Sequence, residues 1–338
     1  MDFDILIDDY LLKLLPGSPL IPAEKKRVLS LLNDFEDAQW RIEKFENFVW
    51  DNIAQTALSA RDRDALSGQS RTLLRESAKN LRLSDDSDDF GKGSELAEIV
   101  LYGIMKHHFK ALPVVPKIFY KQNTQDNAKG ADSVHIVLEG DDDFTLWFGE
   151  AKFYNSIEDV RLPAIISSIE ASLRTDKLKK ENSIITNTSD IDQLITSSTL
   201  LTAIKDALSP KHSIDPLKSR LHVPILLLHQ CAITAGSTSS SKEYRAKICE
   251  HHRERAHSFF KKQIAKLAKS VHNYSEITFH LILFPVPDRD LLVNRFSSDA
   301  RNFKGEPNGR IRSMLTNKRP ARSGAGAGRE KQIDPPSR

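Results

Sequence analysis

Apolar and polar positions alternate over Ser133–Leu138, and a second run, residues 144–153, is apolar at most positions and rich in aromatic side chains. Gly140 and the aspartates at 141–143 lie between them and supply a turn, so the pattern predicts a β-hairpin. Side chains on a strand repeat with a period of two. Glu150 and Lys152 therefore share one face, and Ala151 takes the other. With the register set by a short turn, Asp132 falls opposite the end of the second strand. Leu146, Trp147 and Phe148 make that strand apolar on both faces, the mark of a buried strand.

Helical spacing of apolar residues predicts helices over 23–34, where Pro22 precedes Val28, Leu29, Leu31 and Leu32, and over 35–58, where Trp40, Ile42, Phe45, Phe48, Val49 and Ile53 form a stripe. Further helices are expected over 69–83, 94–110, 156–173, 190–208, 242–271 and 288–303. Strands are expected over 113–121, 221–231 and 277–285. Residues 1–15, ended by Pro16-Gly17, fit either class. Three regions follow. Residues 1–83 form a helical module with no chemical constellation, suited to packing on the rest of the chain or on a partner. An acidic linker, SDDSDD at 84–89, leads to an α/β domain over 90–304. Residues 305–338 form a basic tail, rich in Gly, Ala, Pro and Arg and without periodicity, that is expected to be disordered.

The hairpin carries the candidate chemistry. Two carboxylates, Asp132 and Glu150, can hold a hard cation such as Mg²⁺ (or Mn²⁺), with the Ala151 carbonyl as a backbone ligand. Lys152 beside the ion can orient an attacking water or stabilise charge on a phosphate. Glu98 is the lone charged residue between Leu96 and Met105. A helix apolar nearly all round is buried, and a buried carboxylate needs a partner or a metal. Glu95, the competing third acid, is accounted for by the positive end of the helix dipole. A second ExK, Glu24–Lys26, has no aspartate on a preceding strand. The bland reading of Glu150 and Lys152 is an exposed ion pair at a strand end.

The chain has 338 residues, 39% hydrophobic and 28% charged, with a formal net charge of +3. That is ordinary for a globular protein of one large or two smaller domains. Two cysteines give no disulfide framework, which suits a reducing cytoplasm. Cys249, His251 and His252 lack a visible fourth zinc ligand. They sit in a basic helical pattern, and His251, His252 and His257 read as surface residues. That pattern, 242–271, carries nine Lys or Arg against three Glu. It suits a phosphate backbone or simply a solvated face. Tyr120, Lys121 and Lys129 lie close enough in sequence to the hairpin to touch phosphate. No apolar run approaches a membrane span, and the acidic N-terminus is no secretory signal. GxxxxGK[ST] is absent, so ATP would be used only through a partner.

The D…ExK pattern resembles the PD-(D/E)xK nuclease superfamily, although Ala131 replaces the proline of that signature. GSELAEIVLY, GADSVHI and FGEAKFY narrow the likeness to the HamA C-terminal-like family, the nuclease subunit of the Hachiman anti-phage defence system. The likeness covers residues 91–303 and is sharpest over 94–154. It implies an α/β fold, a restriction-endonuclease-like mixed sheet with an αβββαβ core. It also implies a metal-dependent DNA nuclease with little sequence preference, using Glu98, Asp132, Glu150, Ala151 and Lys152. The resemblance further implies a cytoplasmic complex with a helicase subunit (HamB-like), in which the nuclease is restrained until phage infection or damaged DNA engages the helicase. The alternatives are a non-catalytic DNA-binding scaffold, or another restriction-type or RNA nuclease of the same fold.

Overall fold

A computed structural model describes residues 3–83, 93–121 and 130–305. The expected linker at 84–89, the polar loop at 122–129 with Lys129, and the tail beyond Gly305 lie outside the described residues. The chain opens with β1 (Asp4–Tyr10), α1 (Leu11–Leu14), β2 (Lys26–Leu32) and two short strands, β3 (Phe35–Glu36) and β4 (Gln39–Trp40). Next come α2 (Ile42–Ala57), α3 (Ala60–Ala65), α4 (Ser70–Lys79), α5 (Ser94–His107), β5 (Leu112–Val115) and α6 (Lys117–Tyr120). The hairpin is β6 (Ser133–Leu138) and β7 (Phe144–Tyr154). It is followed by α7 (Leu162–Ser172), α8 (Thr175–Asn187), α9 (Asp190–Leu194) and α10 (Ser198–Ala207). The last elements are β8 (Leu221–Gln230), α11 (Ala232–Ala235), α12 (Lys242–Ser270), β9 (Thr278–Val286) and α13 (Arg289–Lys304).

Seven strands form one mixed sheet in the order β1-β2-β9-β8-β7-β6-β5. The central strands β2, β9, β8 and β7 run parallel, and β1, β6 and β5 join antiparallel at the edges. The runs LHVPILLLHQ and TFHLILFPV are buried almost throughout, as a strand covered on both faces requires. Val223, Ile225 and Leu227 point into one layer with α7, α8, α10 and α12; Leu226 and Leu228 point into the other with α2, α5 and α13. On β7 the same alternation sends Leu146 and Phe148 to the α12 side, and Trp147, Ala151 and Phe153 to the α5 side. The aromatic stripe Phe45, Phe48, Val49 and Ile53 is core, as its spacing suggests.

The expected helical module over 1–83 is corrected in its first half. Residues 23–34 hold a strand, not a helix: β2 pairs with β1 on one side and β9 on the other. The run KRVLSLL is too short to tell a helical from an extended period, and its burial between two strands decides the matter. Residues 35–58 are not one helix either. Asp37 and Ala38, both at positive φ, turn β3 into β4 before α2 begins. The strand expected over 113–121 ends at Val115, and Lys117–Tyr120 is helical. The helix expected over 156–173 begins at Leu162, and that over 190–208 is split into α9 and α10.

Gly149 lets three elements meet beside the hairpin. A Cβ there would stand 2.3 Å from Ser133 Oγ and 3.0 Å from both Leu101 Cδ2 and Pro224 Cγ. Its carbonyl also accepts the Asp132 N–H at 2.8 Å. Gly149→Ala is expected to destabilise the fold by about 1–3 kcal/mol, the usual cost of overpacking. Urea denaturation checks this; an unchanged midpoint would mean the gap closes without strain.

Candidate active site

The β6–β7 pairing runs from Leu138↔Phe144 to Ser133↔Gly149. Asp132 therefore stands just beyond the ladder, level with Glu150, where the hairpin pattern puts it. Its Oδ2 accepts the Ala151 N–H at 3.1 Å and the Lys152 ammonium at 3.3 Å. The same ammonium lies 2.6 Å from Glu150 Oε1, which also accepts the Ser168 hydroxyl from α7. Glu150 is buried, with 4% of its surface exposed. Lys152 thus bridges both carboxylates at one end of the sheet.

Glu98, on α5, is likewise buried and feels the charge of Asp132 without touching the cluster. Its Oε1 accepts the Lys121 ammonium at 2.7 Å, while Oε2 has no hydrogen-bond partner. Glu95 is engaged elsewhere: its carboxylate accepts the backbone N–H groups of Arg82 and Leu83. Ala151 sends its side chain into the α5 layer. Tyr120, considered as a phosphate contact, instead donates to Asp190 at 2.7 Å.

The electrostatics show crowded negative charge. Burial pushes the Glu98 carboxyl up to about 7; Lys121 opposes the shift and the charge on Asp132 adds to it. Burial and Asp132 raise Glu150, against the pull of Lys152. Burial disfavours the charged form of Lys152, but Asp132 and Glu150 outweigh it and hold its pKa above the ordinary value. Lys121 behaves alike, with Glu98 and Asp132 overcoming its burial.

Reading the sequence missed a second charged pair that braces the first. Lys117 Nζ lies 2.7 Å from Glu181 Oε2, with side chains 0% and 3% exposed. Glu181 Oε1 accepts the Ala131 N–H at 3.1 Å, one residue before Asp132. A Cβ on Gly130 would fall 1.8 Å from that oxygen, so glycine is needed for the close approach. Glu181 sits on a polar helix, and nothing in that pattern marks it as buried. Ser168 gave no signal either.

The basic helix expected over 242–271 is α12, but much of its charge is paired at the surface with carboxylates of the same chain. Arg245 pairs with Asp4, Arg255 with Glu158 and Asp159, Lys262 with Asp159, and Lys266 with Glu170. His252, read as a surface residue, is fully buried. No helix among the described residues is long and apolar enough to cross a membrane.

No curated protein is similar enough to this chain to be matched. A family model described as HamA matches residues 8–300, which runs from within β1 to within α13 and takes in every residue of the charged cluster. The chain belongs to the HamA family.

Proposed function

We propose that this chain is a metal-dependent DNA nuclease with little sequence preference, the effector of an anti-phage defence complex that acts with a helicase subunit in the cytoplasm. HamA membership suggests the Hachiman defence role. The observation that carries the nuclease reading is the bridge of Lys152 to Asp132 and Glu150, at 3.3 and 2.6 Å, beside a buried Glu98 oxygen without a partner. The order α5, β5, β6, β7, α7, β8 supports a restriction-endonuclease-like αβββαβ core.

The donor types suit a hard divalent cation: Glu98, Asp132, Glu150 and the Ala151 carbonyl would offer oxygen donors alone, and the Glu98 oxygen left unsatisfied is one such an ion would bind. Among the described residues the three carboxylates are not gathered within 4.8 Å of one another, so they would have to draw together around it. Bound Mg²⁺ or Mn²⁺ would supply Lewis acidity at the scissile phosphate. The protein's own groups supply the rest. Lys152 keeps its proton and donates to an oxygen of the phosphate or to the attacking water. Ser168 fixes the Glu150 carboxylate. Lys121 balances Glu98 until substrate and ion arrive.

A pH dependence follows. Below about 7 the Glu98 carboxyl carries a proton that a cation must displace. Apparent Mg²⁺ affinity is therefore expected to weaken as pH falls, by about tenfold per unit for one competing proton, and to level off above that value. Mg²⁺ titrations of cleavage between about pH 6 and 8 measure this. A flat profile would take Glu98 out of the ligand set.

Within residues 1–83, the surface of α3 and α4 would bind the partner. Because β1 and β2 belong to the central sheet, surface substitutions on α3 and α4, not deletion, are the suitable probe. The deciding experiment incubates the chain with plasmid DNA, single-stranded DNA and RNA in Mg²⁺, with and without the proposed helicase subunit. Loss of DNA that stops with EDTA and with Glu150→Ala is expected. Phage protection that survives Glu150→Ala, with no cleavage of any substrate, would favour a non-catalytic scaffold. Cleavage of RNA alone would assign a ribonuclease.

A further inference from the structure

A second cluster lies on the same face of the sheet. His229 ends the buried run of β8, opposite Tyr154 of β7, which is two residues beyond Lys152. Cys231 lies two residues on, just past the end of β8, its N–H tied to the Val286 carbonyl of β9 at 2.9 Å. His251 comes from α12, 20 residues further on in sequence. One ligand atom from each of His229, Cys231 and His251 lies within 4.8 Å of the others. His229 and Cys231 are buried, and His251 is half-buried. Among the described residues, neither the Cys231 thiol nor the His251 ring makes a hydrogen bond.

We propose that His229, Cys231 and His251 form a zinc site, distinct from the carboxylate cluster, that fastens α12 to the end of β8. Two imidazole nitrogens and one thiolate are the donors zinc prefers. Tetrahedral zinc at ordinary bond lengths sets its ligand atoms about 3.3–3.7 Å apart, so the three side chains need to close by only about 1 Å. A fourth position is left for water. A type of copper site shares this donor set, and copper is therefore the competing occupant.

A supporting shell stands ready behind His229. Its Nε2 lies 3.2 Å from Nε2 of the fully buried His252, whose Nδ1 lies 2.6 Å from Ser30 Oγ on β2. Nδ1 of His229 faces the Gln230 carbonyl at 3.3 Å, a contact that zinc on that nitrogen would replace; its Nε2–H would then donate to His252, and the Nδ1–H of His252 to Ser30. Such a relay fixes the orientation of a metal-bound imidazole. The helix so fastened reaches the nuclease cluster through ion pairs. Arg255 and Lys262 hold Asp159, Lys266 holds Glu170 of α7, and α7 places Ser168 on Glu150.

The test uses the full chain, purified with a tag free of histidine, dialysed against zinc and then against metal-free buffer. Elemental analysis is expected to find one equivalent of zinc. Cys231→Ser and His251→Ala are expected to hold less than a tenth of that, whereas Glu150→Ala and Cys249→Ser keep it. The Glu150→Ala result makes the outcome independent of the nuclease reading. Cobalt in place of zinc is expected to show a thiolate charge-transfer band that Cys231→Ser abolishes. His251→Ala, at a half-exposed position, guards against loss of metal through misfolding, with circular dichroism as the check. No zinc above the level of the variants, equal zinc in all of them, or uptake of copper in preference to zinc would overturn the assignment.

Discussion

Lys152→Ala is expected to lower Mg²⁺-dependent DNA cleavage by about 10²–10³-fold, the scale seen when one oriented donor is removed from a transition state. The ammonium touches both Glu150 and Asp132. Alanine removes the donor to phosphate or water and leaves the two carboxylates without the ammonium that bridges them, with only the more distant charge of Lys121 acting on Asp132. Lys152→Arg is not expected to restore activity, because a planar fork cannot occupy the place of a compact ammonium between two acids. Without Lys152 the fold itself should lean on the ion. Added Mg²⁺ should raise the melting temperature of the alanine variant more than that of the parent, since a ligand bound only to the folded state stabilises it. Single-turnover digestion of plasmid measures the rate. Cleavage within a few-fold of the parent would show that Lys152 takes no part in the chemistry.

Lys117→Met is expected to cost about 3–5 kcal/mol of stability, the toll of leaving a buried charge without its partner. Burial lowers the Lys117 pKa, Glu181 opposes that shift, and both side chains are withdrawn from water. Glu181→Leu should cost a similar amount, with the Ala131 N–H also losing its acceptor. Replacing both together should recover part of the loss, because two apolar groups of similar size carry no unpaired charge. A double-mutant cycle by urea denaturation measures the coupling. Cleavage should also fall in Glu181→Leu, since the backbone before Asp132 is no longer held. Single variants that each cost under about 1 kcal/mol would mean that water reaches the pair.

The hairpin and its register were legible in the chain because both strands and their turn lie within residues 133–154. Glu98 was legible as one charge in an apolar helix, and its burial follows from that. The β2 strand was not legible, because KRVLSLL fits either period and its deciding neighbour, β9, is remote in sequence. Lys117 and Glu181 stand 64 residues apart and are joined only by the fold. The histidines of α12 looked like surface residues because their companions sit on β8. Cys249, the cysteine that neighbours them in sequence, is not one of the three clustered ligand atoms.

Pairing of β2 with β9 sets the order in which this chain can be completed. Lys25 meets Glu276 across 251 residues, so the early β1–β2 hairpin waits for nearly the whole polypeptide before its second edge is covered. Closing so long a loop is slow, and an open strand edge invites association with other chains meanwhile. Refolding from denaturant should therefore be slow and lose yield steeply with concentration, and chaperones should matter most before residues 278–286 leave the ribosome.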